Sequence, residues 1–264
     1  MSARSAAIGA PEPAELGRAS AAIGFLSMLP LFVAYELAED AHSTAGRNVA
    51  ELWLFAPLEL LTPSRAAHWM VLGLAVAVAC ASVWRRETGL VARAWRACLE
   101  GLGAAVAMGP LLVAGLAFVG PGMSAGTRAV DPSGRDAGAA AAVLAGGAAY
   151  EELVFRLGFL CVFAVLCVRL ARSLGAPPRA ARAIAITVAV TASSALFAAA
   201  HLTVVTRAFG PGGETFSAAT FLWRAMAGVV LGALFLWRGL GVAAWAHGWF
   251  NLALFIGAGP EVFL

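Results

Sequence analysis

Long apolar stretches separated by short polar segments follow one another along most of the chain. A transmembrane helix needs about 20 mostly apolar residues, and seven stretches meet this requirement: 20–38, 66–84, 97–119, 138–170, 183–205, 218–237 and 240–257. We therefore predict an all-α fold, a polytopic membrane helix bundle of about seven (seven to eight) transmembrane helices. The fourth stretch is too long for one simple span, so we expect it to tilt, to project from the bilayer or to break near Gly146 and Gly147.

A shorter apolar segment, 49–61, contains Glu51 and Glu59, and we predict that it lies at the membrane interface and does not span. The first long stretch lacks a small-residue cleavage site and precedes further spans, so we interpret it as an anchor. The resulting organisation is a cytoplasmic N-terminal tail at 1–19, N-terminal transmembrane helices at 20–137, a second helix bundle at 138–257 and a C-terminal tail at 258–264.

Composition supports the membrane class and bounds the function. Hydrophobic residues make up 61% of the chain and charged residues only 12%, whereas a soluble domain carries about 25% charged residues. The net charge of +3 gives no indication of nucleic-acid binding. All 18 basic residues are Arg, which together with the frequent Ala and Gly is typical of a GC-rich bacterial genome. We therefore predict a multi-pass protein of the bacterial inner membrane.

Arginines between the spans predict the orientation of the chain. Two inter-span segments are rich in Arg: Arg85, Arg86, Arg93 and Arg96 in one, and Arg169, Arg172, Arg179 and Arg182 in the other. Cytoplasmic loops carry an excess of basic residues. Both segments are therefore predicted to be cytoplasmic, with the N-terminus inside and, for seven spans, the C-terminus outside.

Polar residues concentrate at three places where the pattern predicts lipid or protein interior. These are Glu151, Glu152 and Arg156 in the fourth stretch, His201 (with Phe197 one turn before it) in the fifth, and His247 and Asn251 in the seventh. An ionisable residue inside a span is costly and is by default a functional candidate.

Helical geometry groups these residues into pairs. Residues four apart share a helix face, so Arg156 can neutralise Glu152, while Glu151 is turned by about 100° and can face a cavity. His247 and Asn251 are also four apart and can converge on one point, and Phe197 can pack against the ring of His201.

Each pair also has a structural interpretation. A single His in a span more often bonds a neighbouring helix than it catalyses a reaction, and this holds for His201 alone and for His247 with Asn251. Glu36, Glu100 and Arg224 lie near predicted span ends, where long side chains reach the interface, so we interpret them as structural.

The three clusters together resemble the CPBP family of membrane proteins, which includes type II CAAX prenyl endopeptidases and bacteriocin-processing or immunity homologues. The family pattern is EExxxR, FxxxH and HxxxN or HxxxD in separate helices. Here the corresponding residues are Glu151-Glu152 with Arg156, Phe197 with His201, and His247 with Asn251, in the same order. The resemblance covers roughly 138–257 and makes this part the catalytic bundle.

The resemblance implies a glutamate-dependent intramembrane endopeptidase. Glu151 would be the general base that activates water, and His201 would hold that water and carry its proton. His247 and Asn251 would donate hydrogen bonds to the oxyanion, with Glu152, Arg156 and Phe197 in supporting roles. No metal and no cofactor are then expected.

The partners are the lipid bilayer and a membrane-embedded or membrane-associated substrate. Examples of such a substrate are a bacteriocin-like leader or the C-terminal anchor of an exported protein, as in myxosortase-type protein sorting. Composition and motifs do not indicate an oligomeric state.

Three other functions stay open at this point. Glu151, His201 and His247 could bind zinc in a metalloprotease, although HExxH is absent. A non-catalytic membrane scaffold or immunity-type protein would carry the same motifs. Glu and His chains also form proton relays in transporters, but no inverted repeat is found.

The predicted orientation places His201 near the outer end of its span and His247 near the inner end. A common site therefore requires a shifted boundary or a shallow or broken seventh span.

Overall fold

The computed structural model describes residues 21–41, 47–59, 65–84, 89–119, 137–207 and 213–257. The predicted tails at 1–19 and 258–264, together with Arg85 and Arg86, lie outside the described residues. The helices, numbered in chain order, are α1 (Ala21–Ser27), α2 (Leu29–Ala41), α3 (Val49–Glu59), α4 (Arg65–Val83), α5 (Leu90–Val119), α6 (Ala137–Glu152), a π-helical segment (Leu153–Leu160), α7 (Cys161–Ser173), α8 (Pro178–Ala199), α9 (Thr203–Thr206), α10 (Ala218–Arg238) and α11 (Leu240–Phe255).

The predicted all-α membrane fold is confirmed. Five helices are long and apolar enough to cross a membrane: Ala66–Val83, Leu90–Phe118, Ala137–Ser173, Pro178–Ala199 and Ala218–Arg238. Helices α1 and α2 meet at a bend of 45°, and counting them as one span gives six. Within the described ranges, the only extended pairing is an isolated bridge between Leu202 and Glu214.

The predicted number of seven spans is not confirmed. The seventh apolar stretch forms α11, which has only 16 residues. At 1.5 Å per residue it is about 24 Å long, less than the roughly 30 Å of a bilayer core. Helix α3, in the segment predicted to lie at the interface, is not among the spanning helices.

The fourth apolar stretch forms one continuous helix of 37 residues, Ala137–Ser173. Its middle, Leu153–Leu160, is π-helical. The helix does not break at Gly146 and Gly147. A Cβ at Gly146 would lie 2.5 Å from the Leu31 carbonyl oxygen, and one at Gly147 would lie 2.9 Å from Asn48 Nδ2. The two glycines therefore permit close packing and do not interrupt the helix.

This long helix is central to the packing. Helix α2 packs against α6, α8 packs against α7 and α10, and α11 packs against both α5 and α6. One apolar core gathers around Phe32, Tyr150 and Phe155, and a second around Met108, Leu231 and Phe250. Large apolar side chains such as Leu74, Val91 and Phe118 face outward, as expected for helices that contact lipid. The bundle thus places α11 beside α6, and α8 beside the π-helical segment that follows α6.

The structure changes the interpretation of the acidic and basic residues near predicted span ends. Glu36 does not reach the interface, because its side chain is fully buried and accepts a hydrogen bond from the Tyr150 hydroxyl. Arg224 bonds Glu214 through two nitrogen atoms at 2.8 and 3.0 Å. Glu100 accepts hydrogen bonds from Arg96 and Arg238.

Candidate active site

The two glutamates close helix α6, directly before the π-helical segment. Glu152 is fully buried, and Arg156 Nε lies 3.2 Å from Glu152 Oε2. The Arg156 guanidinium also lies over the Phe197 ring, 4.9 Å from its centroid, and Nη2 donates to the Gly228 carbonyl at 3.4 Å. A buried cation is tolerated where a carboxylate and acceptors surround it. The Glu152–Arg156 pair therefore links α6, α8 and α10.

His247 on α11 lies between the two carboxylates. Its Nδ1 is 2.9 Å from Glu152 Oε1, and its Nε2 is 3.4 Å from Glu151 Oε2. The Nδ1 proton donated to Glu152 holds the ring in a fixed orientation, because the acceptor is itself held by Arg156. The opposite nitrogen thereby faces Glu151.

His201 approaches Glu151 from the other side. Its Nδ1 donates to the Phe197 carbonyl at 2.8 Å, so Nε2 faces Glu151 Oε1 at 4.0 Å. Burial lowers the pKa of His201, and the charge of Arg224 acts in the same direction, while Glu151 opposes both. The Phe197 ring contacts both imidazoles edge-on, with centroids 5.0 Å from His201 and 5.5 Å from His247.

Asn251 lies one turn beyond His247 on α11. Its Nδ2 donates to the Leu144 carbonyl of α6 at 3.0 Å. Glu151, His201 and His247 are thus brought together, and Asn251 is oriented by the backbone of α6 and not by another predicted site residue.

The expected conflict in membrane depth between the two histidines does not arise. Helix α8 ends at Ala199, and His201 lies in the turn that follows, where its carbonyl accepts from the Glu214 amide at 2.9 Å. His247 lies in the middle of the short helix α11. Both rings approach Glu151, with His201 Nε2 4.0 Å from Oε1 and His247 Nε2 3.4 Å from Oε2.

Residues 135–253 match the family model for type II CAAX prenyl endopeptidase Rce1-like proteins. This segment is similar to that family. It contains Glu151, His201, His247 and Asn251, and the match supports the predicted CPBP membership and indicates an intramembrane protease. Comparisons with the curated proteins and with the solved structures gave no match.

The charges of Glu151, Glu152 and Arg156 balance with one added proton. Glu151, Glu152 and Arg156 alone would leave one uncompensated negative charge in a buried site, which is costly. A proton between Glu151 Oε2 and His247 Nε2, which are 3.4 Å apart, removes that charge.

A second polar cluster adjoins the site from outside the Rce1-like segment, and sequence reasoning missed it. Glu51 is fully buried and bonds the Tyr35 hydroxyl at 2.7 Å and Arg47 Nη2 at 2.7 Å. Asn48 Nδ2 donates to Glu151 Oε1 at 2.7 Å. No motif marks Asn48, and only the polar run Arg47-Asn48 before an apolar helix could have drawn attention to it.

Two sets of acidic and histidine residues bear on whether the chain could hold a metal ion. In the part of the chain that the structure describes, Glu36, Glu51 and His68 form the one group of three acidic or histidine side chains whose ligand atoms all lie within 4.8 Å. Arg47 and the Tyr35 and Tyr150 hydroxyls already bond its carboxylates, so the group is a hydrogen-bonded network. Glu151, His201 and His247 do not meet the same distance limit, and His247 directs one nitrogen to each glutamate.

Proposed function

We propose that this chain is an intramembrane endopeptidase in which Glu151 activates the water that attacks a peptide bond. The observation that carries the proposal is the position of the Glu151 carboxylate between His201 and His247, at 4.0 and 3.4 Å. A general base must lie within hydrogen-bond reach of the proton that it takes, directly or through one water. Oε1 of Glu151 would meet that condition for a water that lies between it and His201 Nε2.

The nucleophilic water would lie between Glu151 Oε1 and His201 Nε2. These acceptors are 4.0 Å apart, so one water can bond both at about 2.8 Å. The water oxygen attacks the substrate carbonyl carbon while its proton passes to Glu151. As the C–N bond breaks, that proton is delivered to the leaving nitrogen, and Glu151 returns to its charged form.

His247 and Asn251 would stabilise the tetrahedral oxyanion. An amide carries two N–H donors, and Asn251 uses one of them for Leu144, so the other can point at the substrate. His247 would donate through Nε2, the ring nitrogen that faces Glu151. Each such preorganised donor is worth about 3–4 kcal/mol in the transition state. Glu152, fixed by Arg156, keeps the His247 ring in place.

We infer that the substrate is a membrane-embedded or membrane-associated polypeptide. The matched family is described as a type II CAAX prenyl endopeptidase, so a prenylated C-terminus is one substrate class to test. All basic residues of the chain are Arg, which is typical of a GC-rich bacterial source. A bacterial source favours a second substrate class: the membrane anchors of exported proteins, cleaved during sorting in the inner membrane.

The test compares the parent protein with Glu151→Gln in proteoliposomes. Two probes are used: a farnesylated C-terminal CAAX peptide and a single-span membrane peptide. Gln keeps the size of Glu but cannot accept the proton, so cleavage should fall at least about 10²–10⁴-fold while the protein remains folded. Glu100→Gln, which alters only the ion pairs with Arg96 and Arg238 away from the site, is the matched control and should cleave like the parent.

A cellular comparison covers substrates that the probes do not represent. Membrane and secreted proteomes are compared between cells carrying the parent gene and cells carrying Glu151→Gln. Proteins that remain uncut in the variant, and that crosslink to it, identify the substrates. Identical proteomes together with unchanged probe cleavage would exclude glutamate-dependent proteolysis and favour a peptide-binding scaffold.

A further inference from the structure

Asn48 contacts the carboxylate to which the catalytic role is assigned, although it lies 103 residues earlier in the chain and outside the matched segment 135–253. We propose that Asn48 is a positioning residue that holds Glu151 Oε1 toward the attacking water. This inference rests on the proposed function. The contact itself, from Nδ2 to Glu151 Oε1, is 2.7 Å long.

The orientation of the Asn48 amide is fixed by its own helix. Asn48 precedes α3 as an N-cap residue: its Oδ1 accepts from the Ala50 amide at 2.8 Å, and its carbonyl accepts from the Leu52 amide at 3.0 Å. With Oδ1 committed to the first turn of α3, Nδ2 is the atom that remains for Glu151. The cap therefore determines that Asn48 presents a donor, and not an acceptor, to the carboxylate.

A glycine on α6 makes room for this contact. A Cβ at Gly147 would lie 2.9 Å from Asn48 Nδ2, which is closer than real Cβ atoms approach. Gly147 is one turn before Glu151 on α6, so it leaves free the path by which the Asn48 amide reaches the carboxylate.

The segment before α3 is anchored by buried hydrogen bonds. The backbone N–H of Asn48 donates to the Tyr35 hydroxyl at 2.9 Å, and that hydroxyl donates to Glu51 Oε2 at 2.7 Å. Arg47 bonds the other Glu51 oxygen at 2.7 Å. Because Tyr35 and Glu51 are fully buried, α2 and α3 together hold Asn48 against α6.

The two oxygens of Glu151 thereby have different surroundings. Oε1 accepts from Asn48 and faces His201, while Oε2 faces His247. A donor on a carboxylate favours its charged form, which is the form that a general base needs. The charges of Arg156 and Arg224 also act on this region, and the Asn48 variants leave both arginines unchanged.

Three substitutions separate positioning from folding. Asn48→Asp and Asn48→Ser keep an N-cap oxygen for α3, but Asp places a like charge beside Glu151 and Ser is too short to reach it. Asn48→Ala removes both the cap and the donor. A structural role predicts that only Asn48→Ala loses function, in proportion to lost folded protein. A positioning role predicts that all three do, and that Asn48→Asp has the largest effect.

The closing experiment titrates the Glu151 carboxylate by infrared difference spectroscopy in proteoliposomes, with the band assigned through its loss in Glu151→Gln. The Asn48→Ser midpoint should move upward by about one pH unit, a tenfold change in proton affinity, and the Asn48→Asp midpoint further. On the acid side of the pH profile of kcat/KM for the cleaved probe, the midpoint should move upward by the same amount, with KM little changed. Midpoints equal to that of the parent would overturn the inference, whatever the cleavage assay shows. A shifted midpoint with cleavage intact in Glu151→Gln would instead retain the contact and reject the proposed function.

Discussion

Nδ1 of His247 lies 2.9 Å from Oε1 of Glu152, which joins α11 to the end of α6 across 95 residues of sequence. The same carboxylate lies 3.2 Å from Arg156 through its other oxygen. Glu152 therefore connects a buried cation to the ring that faces Glu151. Loss of the cation should disturb both the stability of the bundle and the orientation of His247.

Arg156→Ala should destabilise the protein. Removing one partner of a buried ion pair leaves an uncompensated charge and costs about 3–5 kcal/mol. Thermal unfolding in detergent measures the loss, and Arg96→Ala, which removes an exposed partner of Glu100, is the control with little expected change. An Arg156→Ala protein as stable as the parent but inactive would point to a direct role of Arg156 in catalysis.

Gly146→Ala and Gly147→Ala should have different effects, although the positions are adjacent. A Cβ at Gly146 meets the Leu31 backbone at 2.5 Å, so α2 and α6 must separate and stability should fall. A Cβ at Gly147 meets only the end of the Asn48 side chain, which can move. We therefore expect Gly147→Ala to retain most of its stability and to lose cleavage activity. Parallel melting curves and probe cleavage rates check this difference.

Asn251→Ala should slow turnover while leaving substrate binding largely intact. The substitution removes one oxyanion donor, which corresponds to a loss of roughly 10²–10³ in kcat, with KM nearly constant. Steady-state kinetics on the cleaved probe measure both values. A raised KM with unchanged kcat would assign Asn251 to substrate binding instead.

Cleavage should continue in the presence of strong chelators. A carboxylate base with His and Asn donors requires no metal, and the ligand atoms of Glu151, His201 and His247 do not converge as closely as those of the buried Glu36, Glu51 and His68 group. Purified protein is assayed before and after chelation, with elemental analysis of the same sample. Stoichiometric zinc together with activity that returns only on zinc addition would support the metalloprotease alternative.

Sequence reasoning located the site residues that belong to motifs, because helical spacing and polarity inside apolar stretches are both local signals. It predicted the shared region of Glu151, His201 and His247, and the neighbouring pair Glu152 and Arg156. These residues lie on segments that meet only through tertiary packing, so the distances between them could not be derived from spacing.

Other features could not be predicted because their cause is not local. Glu36 precedes a predicted span end, and nothing in its neighbourhood shows that Tyr150 covers it from α6. Asn48 contacts Glu151 only because α3 packs beside α6 and Gly147 leaves room. The seventh stretch has the hydropathy of a span, but the helix that it forms ends after 16 residues.

The π-helical segment Leu153–Leu160 sets the rotational register of the long helix. A π-turn holds one residue more than an α-turn, so deleting a single residue there would allow an ordinary α-helix and would rotate everything beyond it by about 100° relative to Glu151. Such a deletion would turn α7 away from α8 while leaving the composition of the segment almost unchanged. The π-helical segment thus fixes the rotation of α7 relative to α6, so that the glutamates face α11 and the remainder of the same helix faces α8.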